Sequence, residues 1–151
     1  MGSGNFLLLA SLGLVSGASI AIQASTNAVL FQHVGKLLWV GFVLFLVGTA
    51  YLLSLIILTK TAVPAIGQFT SAPSWAYIGG IVVASYVLTI TLLVPKMGAV
   101  NAIIFVVAGQ IFAAVIIDHF GWLGVAVREI SLPRIIGVAM IIGGIYLSRR
   151  Y

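Results

Sequence analysis

A narrow polar face runs along the first long apolar segment of the chain. Its members are Ser16, Ser19, Gln23 and Asn27, spaced 3, 4 and 4 residues apart, so at about 100° per residue they share a sector of about 80°. Such side chains can bind an uncharged solute or can hydrogen-bond one helix to another. A serine can bond its own backbone, but the two amides cannot be satisfied so easily. We therefore favour a hydrated substrate cavity, with helix pairing as the alternative.

Two later apolar segments add polar groups at which a solute could bind. Gln110 directly follows Gly109 in the fourth segment, and an amide near the middle of an apolar helix needs a hydrogen-bonding partner. That partner is either the substrate or another helix, and the sequence leaves both open. Asn101 lies about 180° from Gln110 around the same helix and is interpreted as a helix-start residue. In the third segment, Tyr86 is a weaker candidate that could stack on a solute.

Acidic side chains occur at only two positions, Asp118 and Glu129. Asp118 ends the fourth apolar segment, where the helix dipole disfavours a negative charge, so we expect a cation or donor beside it. His119 and Arg128 are the candidates for that partner. Asp118 and His119 either anchor the following loop or take part in proton coupling. Two such residues fall far short of a metal site, and the sequence predicts neither a metal nor a cofactor.

Groups that are missing from the sequence restrict the chemistry of the substrate. No apolar segment carries a central Asp or Glu, so the usual device for exchanging an organic cation for protons is absent. A site made of Gln, Asn, Ser and Tyr suits an uncharged, zwitterionic or multiply hydrogen-bonding solute better. The sequence also has no nucleophile–base pair, phosphate-binding loop or HExxH-type motif, which predicts that the chain is not an enzyme.

The composition predicts that these groups lie within a lipid bilayer. Of the 151 residues, 62% are hydrophobic and 6% are charged, whereas a typical soluble domain has about 25% charged residues. This small number of charged residues cannot form a water-facing surface. We therefore predict an all-α integral membrane protein with the lipid bilayer as a partner. The basic residues lie singly or as one pair at the edges of apolar segments, as interfacial anchors do, which argues against a nucleic-acid partner.

Charged residues, prolines and glycines divide the chain into five candidate transmembrane spans, each near the roughly 20 residues that a bilayer requires. The predicted spans are residues 6–30, 37–58, 75–94, 98–117 and 133–148. Residues 61–74 are expected to form a loop. Residues 119–134 are expected to form an interfacial loop or short surface helix, because their apolar part is too short to span. The sequence thus predicts a single membrane domain over residues 1–151.

Five spans would place the two termini on opposite sides of the membrane. One side would hold Lys60, Arg128 and Arg134, and the other Lys36, Lys96, Arg149 and Arg150. Orientation is normally set by an excess of Lys and Arg in cytoplasmic loops, but this count is three against four, and the amino-terminal ammonium levels it. Either a small bias fixes one orientation, or the chain inserts both ways and pairs with an inverted copy. We favour dual topology, because transporters are often built from inverted repeats.

Several stretches resemble a known superfamily of membrane transporters. The segments LVPKMGAVNAIIFVVAGQIFAAVIIDHFG (93–121) and SLPRIIGVAMIIGGIYL (131–147) resemble the last helices of a drug/metabolite transporter superfamily repeat. Together with AIQASTNAVL (21–30) and FLVGT (45–49), they make the chain similar to a bacterial, half-size, five-helix inner-membrane branch. The most specific matches are Gln23, Ala24, Asn27, Ala108, Gly109, Gln110, Asp118, His119, Phe120 and Gly121.

The resemblance implies a five-helix repeat, two copies of which assemble as a homodimer, as a heterodimer with a close paralogue or as a fused chain. It also implies a multi-pass protein of the bacterial inner membrane, and it does not supply a substrate. The small multidrug resistance relatives carry a glutamate in their first helix, whereas this chain has Gln23 and no acid there. Their mechanism of cation coupling is therefore not carried over.

The residues and the resemblance together predict one half of an inverted-repeat, secondary-active transporter for small solutes. It would work as an antiparallel dimer with a neutral polar site near the membrane midplane. The predicted substrate-binding residues are Ser16, Ser19, Gln23, Asn27, Tyr86 and Gln110. The alternative is a non-transporting small membrane subunit or assembly partner whose polar face only packs helices.

Overall fold

Every regular element in the described part of the computed structural model is a helix. That part comprises residues 3–150, without the side chains of residues 3, 4, 142, 145 and 148–150. Residues 1, 2 and 151 of the predicted domain lie outside the described part. The side chains of Arg149 and Arg150, which were counted among the basic residues on the two sides of the membrane, also lie outside it. The helices are α1 (Ser3–Val34), α2 (Leu37–Leu58), α3 (Ile66–Thr70), α4 (Ile78–Met97), α5 (Ala99–Phe120) and α6 (Leu132–Arg150).

Four helical segments of the described residues are long and apolar enough to cross a bilayer. They are Asn5–Val34, Leu37–Leu58, Ser74–Met97 and Ala99–Phe120, and a shorter apolar stretch in α6 covers Leu132–Ile141. Large apolar side chains on these helices are exposed, such as Leu14 at 78% and Ile57 at 73%. Only hydrocarbon or another protein can remove such a surface from water. The chain is therefore an all-helical, multi-pass membrane protein, and its fifth span stays a prediction.

Two glycines in the left-handed region explain where two of the long helices end. Gly35 has φ 67° and follows α1, and Gly121 has φ 63° and follows α5. Glycine adopts this conformation without the steric penalty of a side chain, and it commonly ends helices. The first span was expected to end at residue 30 and the fourth at residue 117, but α1 continues to Val34 and α5 to Phe120.

The chain divides into two compact units, and the first extends to Leu92. In this unit α1 packs against α2, and only two residues join the two helices, so the end of α1 lies beside the start of α2. Eight residues of the unit form what we call the buried layer: Ala24, Asn27, Ala28, Val40, Gly41, Val87, Ile90 and Thr91.

The buried layer lies at the end of the first unit that carries the α1–α2 turn. Its α1 members lie towards the end of that helix, and Val40 and Gly41 lie in the first turns of α2. Its α4 members lie from the middle of that helix onwards, where Leu88 approaches the backbone of α2 at Gly41. Buried side chains from all three helices are therefore found at this end.

The connection between α2 and α4 carries short helical pieces at positions where the sequence predicts a loop. Residues 61–74 contain the five-residue helix α3, and a 3-10 turn follows at Ser74–Tyr77. The Tyr77 hydroxyl donates to the Phe69 carbonyl oxygen at 2.6 Å and fastens the two pieces together. Phe69, Trp75 and Tyr77 are exposed, as suits aromatic residues at a membrane interface.

The second unit starts at Leu93 and contains the end of α4, then α5 and α6. Here α5 packs against α6. Asn101 donates from Nδ2 to the Met97 carbonyl oxygen at 3.0 Å, so its amide is used at the start of α5, as the sequence indicates. After α5, a 3-10 turn at Trp122–Gly124 leads into a stretch without regular structure that reaches α6.

Candidate functional site

A cavity of about 360 Å³ lies in the first unit between α1, α2 and α4. Its lining consists of Gln23, Leu44, Phe45, Gly48, Thr49, Tyr51, Leu52, Val83 and Val87. The α2 residues of the lining are centred on Gly48, half-way along that helix. Val87 belongs both to this lining and to the buried layer, so the cavity adjoins the buried layer.

Three polar side chains line the cavity against a largely apolar wall. Gln23 brings an amide from α1, and Thr49 and Tyr51 bring hydroxyls from α2. Between them, a Cβ built at Gly48 would meet no atom within 4 Å, so this position leaves open space. None of the described lining residues is charged. The cavity can therefore hold an uncharged, partly apolar molecule and offer hydrogen bonds to its polar atoms.

Asn27 lies one helical turn beyond Gln23 on α1, within the buried layer. It is 2% exposed, and its Nδ2 has no hydrogen-bond partner among the described residues. The hydroxyl of half-buried Tyr86, on α4, is likewise buried without a partner among them. A buried donor that stays unpaired costs about 1–3 kcal/mol. Both atoms would therefore be stabilised by a solute, a water or a second protein chain that reached them.

The serines of the predicted polar face lie apart from its amides. Ser16 and Ser19 are exposed, and neither is among the residues that line the cavity. The Ser19 hydroxyl donates to the Val15 carbonyl oxygen at 3.0 Å, within its own helix. The face thus divides into three parts: Gln23 lines the cavity, Asn27 is buried and the serines lie outside. Equal spacing along a helix does not give these residues equal surroundings.

Gln110 is the predicted site residue of the second unit. It lies half-way along α5, and its side chain is exposed beside the exposed Gly109. An amide at this level of an apolar helix would meet hydrocarbon unless another polar group covers it.

Thr49 and Tyr51 line the cavity but were not singled out from the sequence. Both lie in α2, LLWVGFVLFLVGTAYLLSLIIL, a helix that is apolar on nearly all sides. The available signal is the cluster Gly48, Thr49 and Tyr51, which interrupts the apolar run at mid-helix. That cluster entered the sequence interpretation only in part, through the FLVGT match to the transporter superfamily.

Asp118 has its cationic partner in Arg134, and not in His119 or Arg128 as the sequence suggested. Its Oδ2 lies 3.5 Å from Arg134 Nη1, and both side chains are about one-third exposed. The same Nη1 lies 3.4 Å from the Arg128 carbonyl oxygen, and the Arg128 backbone N–H donates to the Asp118 carbonyl oxygen at 2.8 Å. The partner differs because the chain returns to the end of α5 at the start of α6. These contacts fasten the loop to α5.

His119 points into an aromatic neighbourhood at the end of α5. Its ring meets Phe120 edge to face at 4.8 Å between centroids, and Phe120 stacks on Trp122 at 5.2 Å. Its Nδ1 is buried without a partner among the described residues. Among all the described residues, no group of three or more His, Cys, Asp or Glu side chains could hold a metal ion.

Comparison with known families gives a match over almost the whole chain. The model of a family described as "Putative inner membrane exporter, YdcZ" matches residues 8–147, from α1 to α6. Neither a search of curated proteins nor a search of solved structures finds a match. The family match confirms the resemblance to the drug/metabolite transporter superfamily. It also agrees with a multi-pass protein of the inner membrane.

Proposed function

We propose, since the chain belongs to this family of inner-membrane exporters, that it forms one half of a secondary-active transporter for small, uncharged or zwitterionic solutes. Two copies would assemble as an antiparallel dimer, with α6 as the fifth span of each copy. The solute would bind in the cavity of the first unit, against Gln23, Thr49 and Tyr51. Asn27, one helical turn beyond Gln23 in the adjacent buried layer, would provide a further donor.

The observation that carries the proposal is a polar cavity at the middle of long apolar helices. The cavity is centred on Gly48 of α2, which has 11 residues before it and 10 after it in Leu37–Leu58. A helix of this length matches the hydrocarbon core, so the cavity would lie near the membrane midplane. Transporters commonly bind their substrates at this depth. A purely structural role would not require an open cavity around Gln23.

The chemistry of the lining favours a particular class of solute. Leu44, Phe45 and Leu52 offer an apolar wall, whereas Gln23 and Thr49 offer hydrogen bonds and no net charge. An organic cation would lack a carboxylate to neutralise it in this cavity. We therefore expect an amphipathic solute with an apolar body and a few hydrogen-bonding groups. This narrows the expectation from the sequence, which did not require an apolar body.

Two features support assembly with a second copy. Gln110 exposes its amide half-way along α5, and a partner subunit would shield it from hydrocarbon. The near-equal numbers of basic residues on the two expected sides favour neither orientation. An inverted copy of the same chain would supply the inverted-repeat symmetry that alternating access commonly uses. Gln110 would then contribute to the interface or to the shared substrate path.

The buried layer would act as the closed gate of such a transporter. It buries side chains of α1, α2 and α4 at the end that carries the α1–α2 turn, next to the cavity. The solute would then enter from the opposite end, and opening would separate Leu88 from Gly41. Asp118 would serve as an anchor for the loop rather than as a coupling group, because Arg134 and the Arg128 backbone already engage it.

The test is solute binding and flux with a matched pair of variants. Gln23→Leu removes the cavity amide and should abolish both the thermal stabilisation by a solute and its flux into proteoliposomes. Ser25→Ala is the control, since its hydroxyl donates to the Ala21 carbonyl oxygen and Ser25 is not among the lining residues. The solutes should be an uncharged, a zwitterionic and a cationic series on the same apolar body. A clear preference for the cations would contradict the proposed site.

The non-transporting subunit makes the opposite prediction for the same variants. If the polar face only packed helices, Gln23→Leu would disrupt the dimer in size-exclusion chromatography. No solute of the series would then stabilise the wild-type protein. Retention of the dimer together with loss of solute binding supports transport.

A further inference from the structure

A second cavity, of about 320 Å³, lies in the second unit between α5, α6 and the loop that precedes α6. Its lining includes Phe112, Val115, Ile130, Arg134, Ile135 and Val138. All of these side chains are apolar except Arg134. The cavity is therefore an apolar groove with one cationic group, which we call the α5–α6 groove.

The α5–α6 groove runs from the membrane interface towards the hydrocarbon. Arg134 lies at the interfacial end, beside Asp118 near the end of α5. Phe112 precedes Phe120, the last residue of α5, by 8 positions, which is about 12 Å at about 1.5 Å per residue. Val138 lies 6 residues after Leu132, the first residue of α6, which is about 9 Å at the same rise. The cation is thus at one end, and the apolar walls extend away from it.

Aromatic residues give separate evidence that the Arg134 end of the α5–α6 groove lies at the membrane interface. Trp122 is 56% exposed and stacks on Phe120 directly after α5. Exposed tryptophans concentrate at the level of the lipid headgroups. Arg134 is therefore expected at the depth of the lipid phosphates, with the groove below it at the depth of the acyl chains.

We propose that the α5–α6 groove binds a membrane phospholipid, with the phosphate on Arg134 and one acyl chain along Phe112, Val115 and Val138. The Arg134 Nη1 faces Asp118 and the Arg128 carbonyl oxygen. Among the described residues no other contact uses its Nη2 and Nε, so these donors remain for the phosphate. A guanidinium group binds phosphate oxygens in pairs and with a defined geometry. Because the side chain is one-third exposed, a headgroup can reach it.

A phospholipid fits both parts of the groove, whereas simpler occupants fit only one. A soluble phosphate compound would match Arg134 but would leave the apolar walls uncovered. A diacylglycerol would match the walls but would offer no anion to the guanidinium. The opposite charges of Arg128 and Glu129 cancel formally, so the recognised group is the phosphate and not a large net charge.

The first test compares ligands on the wild-type protein by native mass spectrometry from detergent micelles. Phosphatidylglycerol should be retained about tenfold more than diacylglycerol with the same acyl chains, as expected from one charge-assisted contact. Glycerol phosphate without chains should bind at least as weakly as diacylglycerol. Equal retention of phosphatidylglycerol and diacylglycerol would overturn the role of Arg134, and equal binding of glycerol phosphate would overturn the role of the groove.

The second test uses a pair of variants that separates phosphate binding from loop anchoring. Arg134→Gln removes both the guanidinium and its contact with Asp118, and phosphatidylglycerol retention should fall about tenfold. Asp118→Asn removes the ion pair but keeps Arg134, so retention should be unchanged or higher. An equal fall in the two variants would show that the loop, and not the phosphate contact, matters. Circular dichroism and gel filtration verify that both variants are folded. The ligand comparison on the wild-type protein tests the proposal even if a variant does not fold.

Discussion

Leu88 of α4 lies directly over Gly41 of α2, where a Cβ built on the glycine would stand 2.7 Å from the Leu88 Cδ2. Both Gly41 and the preceding Val40 are buried. A side chain at position 41 would therefore require Leu88 to move within the buried layer. Membrane helices associate through close packing rather than through the hydrophobic effect, so this contact contributes to the stability of the first unit.

We expect Gly41→Val to lower the free energy of unfolding by about 1–3 kcal/mol, because the branched side chain must displace Leu88. Gly41→Ala should have a smaller effect, because the end of a leucine side chain can rotate away and because alanine favours the helix. Thermal unfolding in detergent micelles measures both variants. A Gly41→Val protein as stable as the wild type would refute the close contact between α2 and α4.

Gly48→Val is the matched control on the same helix. No atom lies within 4 Å of a Cβ at position 48, so its stability should stay within about 0.5 kcal/mol of the wild type. The new side chain would occupy the cavity, and solute flux should fall. The two glycine variants thus separate packing from binding.

Asn27→Leu is expected to raise stability and to remove solute binding. Leucine has as many non-hydrogen side-chain atoms as asparagine and the same branch at Cγ, and it eliminates the buried Nδ2 that has no partner among the described residues. The gain should be about 1–3 kcal/mol, the cost of leaving such a donor unpaired. Gln32→Leu, an exposed site on the same helix, is the control and should change stability little. A destabilised Asn27→Leu protein would indicate that a second chain bonds the amide.

The helices and the membrane setting could be predicted from the sequence because they depend on local properties. The length of an apolar run indicates a span, and Gly35 and Gly121 end helices through their own backbone conformation. Gln23 was found because an amide within an apolar run is conspicuous on any face of a helix. The family resemblance depends on such local stretches as well.

The cavity depends on which helix faces meet, and an apolar chain contains little information about that. In a soluble protein the polar face of a helix marks its outer side. Because α2 is apolar on nearly all sides, Thr49 could not be assigned to a site. The partner of Asp118 was missed for a related reason. Arg134 is distant in sequence, and only the return of the chain at α6 brings it close.

The loop after α5 should depend more on Gly121 than on the ion pair. A Cβ at position 121 would lie 2.6 Å from Val127 Cγ2 and 3.4 Å from the Val125 carbonyl oxygen, at φ 63°. Gly121→Ala should therefore cost roughly 1–3 kcal/mol, whereas Asp118→Asn should cost less than about 1 kcal/mol because both partners are partly exposed. Hydrogen exchange of residues 125–131 provides the readout. Faster exchange in Asp118→Asn than in Gly121→Ala would reverse this ranking.

Dual topology can be tested with single cysteines, because the wild-type chain has none. Gln32→Cys and Ser71→Cys introduce exposed thiols before and after the α2 span, and so on opposite sides of the membrane. Neither substitution changes the number of charged residues. If the chain inserts both ways, a membrane-impermeant maleimide should label about half of the molecules of each variant from outside. Adding Thr70→Arg to both proteins should bias the orientation and move their labelling in opposite directions. Complete labelling of one variant and none of the other, without the added arginine, would exclude the antiparallel homodimer.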